Sequence, residues 1–280
     1  MNPKKSSQVH VFPSDGLTVT ASEPWFKVKV QVINRYLEAF VANVAGRADE
    51  IIFVDLCAGS GLLSYGHQKE IFPGAGFTAL ASGLPITKYI LCESNPEEAK
   101  ALQFRLDKYF VKKYVIVVNE DPATRIAKLM EMIPQSKAGR KVAVLCLVDP
   151  SSIEIPFTEI DKLSSIGWSF LMPFTLPLNT RIDFRYYLEE YAFKLQHYLG
   201  PAADSLSDAS SNWQFYQRMV RVYENNMLVL GMSTALSVHK FSSQWMEVPA
   251  YYMGFFSKRL SAKAIQHEVQ SLDQPQFALF

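Results

Sequence analysis

The run Ile51-Ile52-Phe53-Val54-Asp55-Leu56-Cys57-Ala58-Gly59-Ser60-Gly61 decides the fold class. A short apolar stretch ends in an acid and then turns through two glycines. A parallel strand that presents a ligand-binding loop at its carboxyl end has this pattern. Glycine permits the sharp turn and a close approach of backbone to ligand. A helix is expected after Gly61, its free amides favouring an anionic group. It is expected to end near Pro73-Gly74-Ala75-Gly76, a cluster of breakers. The loop therefore predicts a cofactor of nucleotide type.

Working outward, Phe26, Val30, Ile33, Leu37, Phe40 and Val44 recur at helical spacing, while Lys27, Gln31, Asn34, Arg35 and Glu38 fall on the other side. This predicts an amphipathic helix of roughly five turns, opened by Glu23-Pro24. After the glycine loop, Thr78–Ser82 reads as a short helical piece and Lys88–Glu93 as a second strand. Asn95 caps the helix that follows, with Pro96 in its first turn and Glu97 and Glu98 at the positive end of its dipole. Residues 114–118 read as a third strand, 124–132 as a helix, 141–148 as a fourth strand and 167–174 as a fifth. Strands that are continuous apolar runs and alternate with helices indicate a parallel sheet covered on both faces. Arg181–Leu199 and Asn212–Leu228 read as helices joined by the polar loop 200–211. Residues 234–241 and 249–257 then read as an antiparallel hairpin.

An acid stands where each of four strands ends: Asp55, Glu93, Asp121 and Asp149. In an open α/β sheet those ends line the ligand crevice. Each acid alone also fits a loop residue or a helix cap, but four at one structural station point to a shared role. A nicotinamide loop has Gly-x-Gly-x-x-Gly/Ala. Here Ser64 stands at the third position and Asp55 at the strand tip, where a carboxylate repels a pyrophosphate. A ligand with an ammonium and a sulfonium is attracted instead. S-adenosylmethionine has both, and a ribose whose hydroxyls suit Glu93.

Val54–Gly61 resembles motif I of the class I S-adenosylmethionine-dependent methyltransferases. More narrowly, the chain is similar to the three-Cys-motif partner proteins, a bacterial methyltransferase-like group. The features that carry this are Trp25 with Lys27 and Lys29, Asp55-x-x-Ala58-Gly59-x-Gly61, Glu93, Asp149-Pro150 and the ending Tyr251–Lys258, in that order. The resemblance covers residues 24–270 and implies a Rossmann-like α/β fold. Its sheet has seven mostly parallel strands and ends in an antiparallel hairpin, with a helical insert (180–228) before the last two strands. It also implies an S-adenosylmethionine site built from Asp55, Ala58, Gly59, Gly61, Glu93, Ser94, Asp121 and Asp149. Asp55 and the loop would hold the methionine end, Glu93 the ribose, and Asp121, with Asn119 or Glu120 nearby, the adenine. Asp149 and Pro150 would stand at the site of transfer, Asp149 meeting the acceptor or the methionine amine; its other reading is a helix cap before Ser151-Ser152.

Two departures bear on activity. Gly74-Ala75-Gly76 stands near where the family often has Gly-Ser-Pro. Asp149-Pro150-Ser151-Ser152 lacks the aromatic that amine-modifying relatives carry for stacking a planar base. The expected function is methyl transfer to an acceptor that the residues do not name. The alternative is a catalytically silent cofactor-binding or protein-partner module of the same fold.

The 280 residues suit an N-terminal arm (1–22) and one domain (23–280). A formal charge of +1 does not point to nucleic acid or a membrane surface. The aromatic-rich insert carries five basic and six acidic residues, poor footing for phosphates, so its rings read first as core. Because it precedes the last two strands, it is also placed to cap the acceptor. Cys57, Cys92 and Cys146 lack paired spacing and read as reduced, small and buried, in keeping with a cytoplasmic setting. The five histidines show no metal-ligand spacing, so no metal is expected. Lys4-Lys5 is followed by Ser6-Ser7-Gln8, not by the apolar core of a secretory leader, and no apolar run is long enough to span a bilayer.

Overall fold

The computed structural model describes residues 12–66 and 70–273. In chain order, β1 (Thr20–Ala21) precedes α1 (Phe26–Val44), the expected five-turn amphipathic helix. Then come β2 (Glu50–Asp55), β3 (Leu62–Tyr65), β4 (Glu70–Pro73), α2 (Ala75–Ala81), β5 (Lys88–Cys92) and α3 (Pro96–Tyr109). They are followed by β6 (Val115–Val118), α4 (Pro122–Met132), β7 (Val142–Leu147), α5 (Phe157–Ser165) and β8 (Ser169–Phe174). The rest is α6 (Phe184–Leu188), α7 (Ala192–Leu199), a 3-10 stretch (Gly200–Leu206), α8 (Asn212–Val229), β9 (Ser233–Lys240), β10 (Ala250–Ser257) and α9 (Ala262–Asp273).

Seven strands form one sheet in the order β6-β5-β2-β7-β8-β10-β9. The first five pair in parallel, while β10 runs antiparallel to both β8 and β9. This is the Rossmann-like class I methyltransferase arrangement that the resemblance implies. The central strands are apolar on both faces, and Ile52, Phe53, Ile90, Leu91 and Leu145 are fully buried. Right-handed crossovers place α2 and α3 on one face and α4 and α5 on the other. Accordingly α1 touches α2 and α9, whereas α4 touches α5. The chain leaves β2 towards β5 on one side and reaches β7 on the other, so the switch in strand order falls at the end of β2. A crevice opens there in sheets of this kind.

Several local expectations are corrected. No helix follows Gly61; β3 and β4 form an antiparallel pair, and β3 also pairs in parallel with β1. Tertiary partners outweigh local preference here. Tyr65 and Phe72 pack edge to face, and the Lys27 ammonium sits 5.3 and 5.5 Å from their rings. Gly74-Ala75-Gly76 opens a helix and does not end one. Arg181–Leu199 is two helices: Asp183 caps the start of α6, which ends at Leu188, and α7 begins only at Ala192. The loop 200–211 contains the 3-10 stretch, and α5 and α9 have no counterpart in the sequence reading. The cap at Asn95 is as expected: its side chain accepts from the amides of Glu97 and Glu98.

The described part of the N-terminal segment is fastened to the body. Phe12 is buried against Phe77 and Tyr109. Arg105, fully buried, makes a two-pronged contact with Asp15 at 2.7 and 2.9 Å and donates to the Ser60 carbonyl. The Arg105 guanidinium holds the Asp15 carboxyl down at about 2. Residues 1–11 of the expected arm lie outside the described residues.

Gly61 has a φ of +81°, and a Cβ there would sit 2.5 Å from a carbon of the Phe77 ring. Gly61→Ala is expected to cost roughly 2–4 kcal/mol, from the left-handed backbone and the overpacking together. Urea unfolding checks this, and Gly61→Ala/Phe77→Leu should recover the packing part of the loss.

Candidate functional site

A cleft of about 520 Å³ opens at the carboxyl ends of β2, β5 and β7. That size lies within the range of small-molecule sites. Asp55, Ala58, Gly59, Glu93, Ser94, Asp149 and Pro150 all line it. Gly61 and Asp121 do not. Gly61 turns inward against Phe77. Asp121 is exposed, and its carboxylate accepts from the Thr124 amide at 3.2 Å and hydroxyl at 2.7 Å, at the start of α4. Asn119 clasps the carbonyls of Glu93 and Ser94, and Glu120 pairs with Lys128.

The glycine loop is held from two sides. Glu93 accepts from the Gly59 amide at 2.9 Å and from the Asn95 amide at 2.8 Å, tying the loop to the start of α3. The Thr20 amide donates to the Ser60 hydroxyl, and the Ser60 amide donates to the Thr20 hydroxyl. Thr20 comes so near that a Cβ on Gly59, whose φ is +57°, would lie 2.5 Å from its Oγ1. Gly74 and Ala75, at the start of α2, line the cleft, and the Gly74 amide donates to the Gly61 carbonyl.

Asp55 is 2% exposed and accepts from the Cys57 amide at 3.1 Å. Burial pushes its carboxyl up to about 7; the Cys57 amide and, less, the Lys29 charge oppose the rise, and the charges of Asp149 and Glu93 add to it. Burial likewise raises Glu98, with Glu93 adding to the effect. The carboxylates thus crowd one rim.

Sequence reading did not assign Lys29, Arg125 or Trp245 to the site. Lys29, on α1, is buried and grips both oxygens of Asp149 at 2.9 and 2.8 Å. Its ammonium lies 4.0 Å from the centre of the Phe26 ring and 5.5 Å from that of Trp25. The signal was a lysine between Phe26 and Ile33, inside the apolar stripe of α1. Arg125, also buried, donates to the Leu56 carbonyl. Trp245 comes from the link between β9 and β10, a segment that sequence places nowhere near the loop.

No described residue of the helical insert lines the cleft, which corrects its expected place as a cap. Many of its rings are core, as the charge count suggested: Tyr187, Phe215, Tyr216 and Tyr223 are buried, while Phe193 is exposed. The Tyr187 hydroxyl donates to the Pro177 carbonyl, so the insert braces a wall of the cleft from behind. The cysteines are unpaired, and burial pushes the Cys92 thiol up to about 12. Among the described residues no metal-binding cluster occurs, and no helix is long and apolar enough to cross a membrane.

No family model and no curated protein matches the chain. Among solved structures it is similar to protein LPL1258 from Legionella pneumophila, at 13% identity and a TM-score of 0.50, over 86% of this chain and 90% of that one. It is also similar to the O-methyltransferase from Bacillus cereus solved with SAH, at 11% identity and a TM-score of 0.44, over 86% and 84%. A human methyltransferase 10 domain containing protein gives 8% identity and a TM-score of 0.46, over 83% and 84%. At such identities the likeness is one of fold.

A carboxyl raised to about 7 is protonated in the folded chain between pH 4 and 7, where the unfolded chain is ionised. Stability therefore falls as pH rises through that window and levels off above it. Asp55→Asn should remove this fall, leaving the variant equal to wild type near pH 3 and more stable by roughly 4 kcal/mol near pH 8. Unfolding curves of the two proteins across that range test the sign.

Proposed function

We propose that the chain is an S-adenosylmethionine-dependent methyltransferase. The observation that carries this reading is Asp55, a buried carboxylate at the switch point of the sheet, beside a glycine loop clasped by Glu93. The donor set fits the cofactor. Asp55 has an amide for a partner where an ammonium would suit it better, and Glu93 keeps acceptor capacity for ribose hydroxyls beyond its two amides. Ala58, Gly59 and Ser94 would lie against the ligand. Asp121, turned to Thr124, would need to release that hydroxyl to meet the adenine. The cofactor supplies an electrophilic methyl group. The chain supplies proximity and alignment, with Asp149, held by Lys29, at the place of transfer.

The ordered set of Trp25, Lys29, the glycine loop, Glu93, Asp149-Pro150 and Tyr251–Lys258 supports membership of the three-Cys-motif partner group. A bacterial, cytoplasmic setting goes with that reading, and so does a protein partner. The near-neutral charge lends nucleic acid no support.

Calorimetry with S-adenosylmethionine, its demethylated product and NAD is the direct test. The first two should bind and NAD should not. Because a cation selects the ionised Asp55, affinity should rise about tenfold from pH 6 to pH 8, with proton release on binding near pH 6.5. Asp55→Ala should weaken binding by at least about tenfold. Failure of both adenosyl ligands to bind the wild-type protein would end this reading.

A further inference from the structure

We propose that the outer half of the cleft is an acceptor subsite for a flat molecule whose reacting atom is a phenol-type hydroxyl oxygen. In this subsite Asp149 takes the hydroxyl proton and the Lys29 ammonium stands beside the oxygen. The inference rests on the cofactor reading above and deepens it.

The charges of the cleft sort into two groups. Asp55, Glu93 and Glu98 gather on the side of the glycine loop, where Glu93 holds the Gly59 amide. On the other side Asp149 is held by Lys29 and, at 3.4 Å, by the Thr175 hydroxyl, with the exposed Glu154 at the rim. The Lys29 side chain is only 5% exposed and is fixed between Asp149 and the Phe26 ring. A fixed ammonium at the reacting atom selects against an acceptor that arrives as a cation or gathers positive charge as it reacts. It favours an oxygen that becomes more negative as its proton leaves. Asp149, held at 2.8 Å by the same ammonium, is the neighbouring acceptor for that proton.

The walls select for shape. Trp245 is 42% exposed at the rim and meets Phe26 edge to face at 5.8 Å. Met246 and Ile155 are buried beside it, and Pro150 and Pro177 complete an apolar lining. The stacking surface that Asp149-Pro150-Ser151-Ser152 lacks is thus available from a different part of the chain. Trp245 is held in place: its carbonyl accepts from the Leu178 amide at 3.2 Å, and the buried Glu23 carboxylate receives the Gln244 amide at 2.6 Å and the Ser243 hydroxyl.

In the transfer, the acceptor oxygen gains the methyl carbon as the carbon–sulfur bond breaks, leaving the electron pair on sulfur. The hydroxyl proton passes to Asp149 and then to water.

The test is calorimetry of phenol, catechol, aniline and benzylamine against protein loaded with the demethylated cofactor, followed by transfer of labelled methyl from S-adenosylmethionine. The two hydroxyl compounds should bind at least about tenfold tighter than the two amines and should carry the label on oxygen. Lys29→Met should collapse that preference, Lys29→Arg should keep it, and Trp245→Ala should weaken all four compounds. A preference for amines, equal binding of phenol and aniline, or no binding of any of the four to the loaded protein overturns the proposal. So does a Lys29→Met protein that keeps the preference, or a Trp245→Ala protein that binds as wild type does. If the demethylated cofactor itself fails to bind, the cofactor reading is what has failed.

Discussion

Too many carboxylates meet at one rim of the sheet for the cations that serve them. Asp55, Glu93 and Asp149 end adjacent strands, and the charges of Glu93 and Asp149 raise the cost of ionising Asp55 between them. The fold manages this in three ways. Glu93 spends its charge on two backbone amides, Asp149 takes Lys29, and Asp55 stays buried with a single amide for company. A well-packed core would not leave such an acid in place without use, because a neutral residue of the same shape would be more stable. The strain falls where a cationic ligand would relieve it, as is common at sites that trade stability for binding.

What sequence reveals of this fold follows from how local each cause is. The strands of the main sheet are apolar on both faces, so their runs can be read directly. Asn95, Pro96, Glu97 and Glu98 specify the start of a helix within four residues, and the structure places it there. The pair β3–β4 is different. Leu62–Tyr65 could continue a helix, and its strand state depends on β1, forty residues earlier, and on Lys27 across the rings of Tyr65 and Phe72. No window of sequence contains those partners. The late start of α6 had a local sign in Asp183, a capping residue just inside the expected helix, but the break before α7, at 189–191, has no glycine or proline to mark it.

The same distinction runs through the site. Acids at strand ends are legible because strand ends can be found and the topology brings them together. Lys29 left only a faint mark, a charge within the apolar stripe of α1, and its partner Asp149 lies 120 residues away. Trp245 left none: a tryptophan in a short link between strands has no periodicity to betray its neighbours. Asp121 shows the converse: it stands just past a strand end, yet it does not line the cleft and its carboxylate is engaged with Thr124.

This division explains why the fold speaks for a cofactor and says so little about an acceptor. The loop side of the cleft is built by strands and the turns that leave them, so its chemistry comes with the architecture. The other side is assembled from segments outside the parallel strands. Glu23 and Trp25, ahead of α1, are joined to the far end of the chain: Glu23 through Ser243 and Gln244, Trp25 through Phe241 at 4.6 Å and Tyr251 at 5.3 Å. Such segments can change their side chains without disturbing the register of β2, β5 and β7. On the proposed reading, selection for a particular acceptor would act on this seam between the two ends of the chain, while the rim of acids stays fixed by the sheet beneath it.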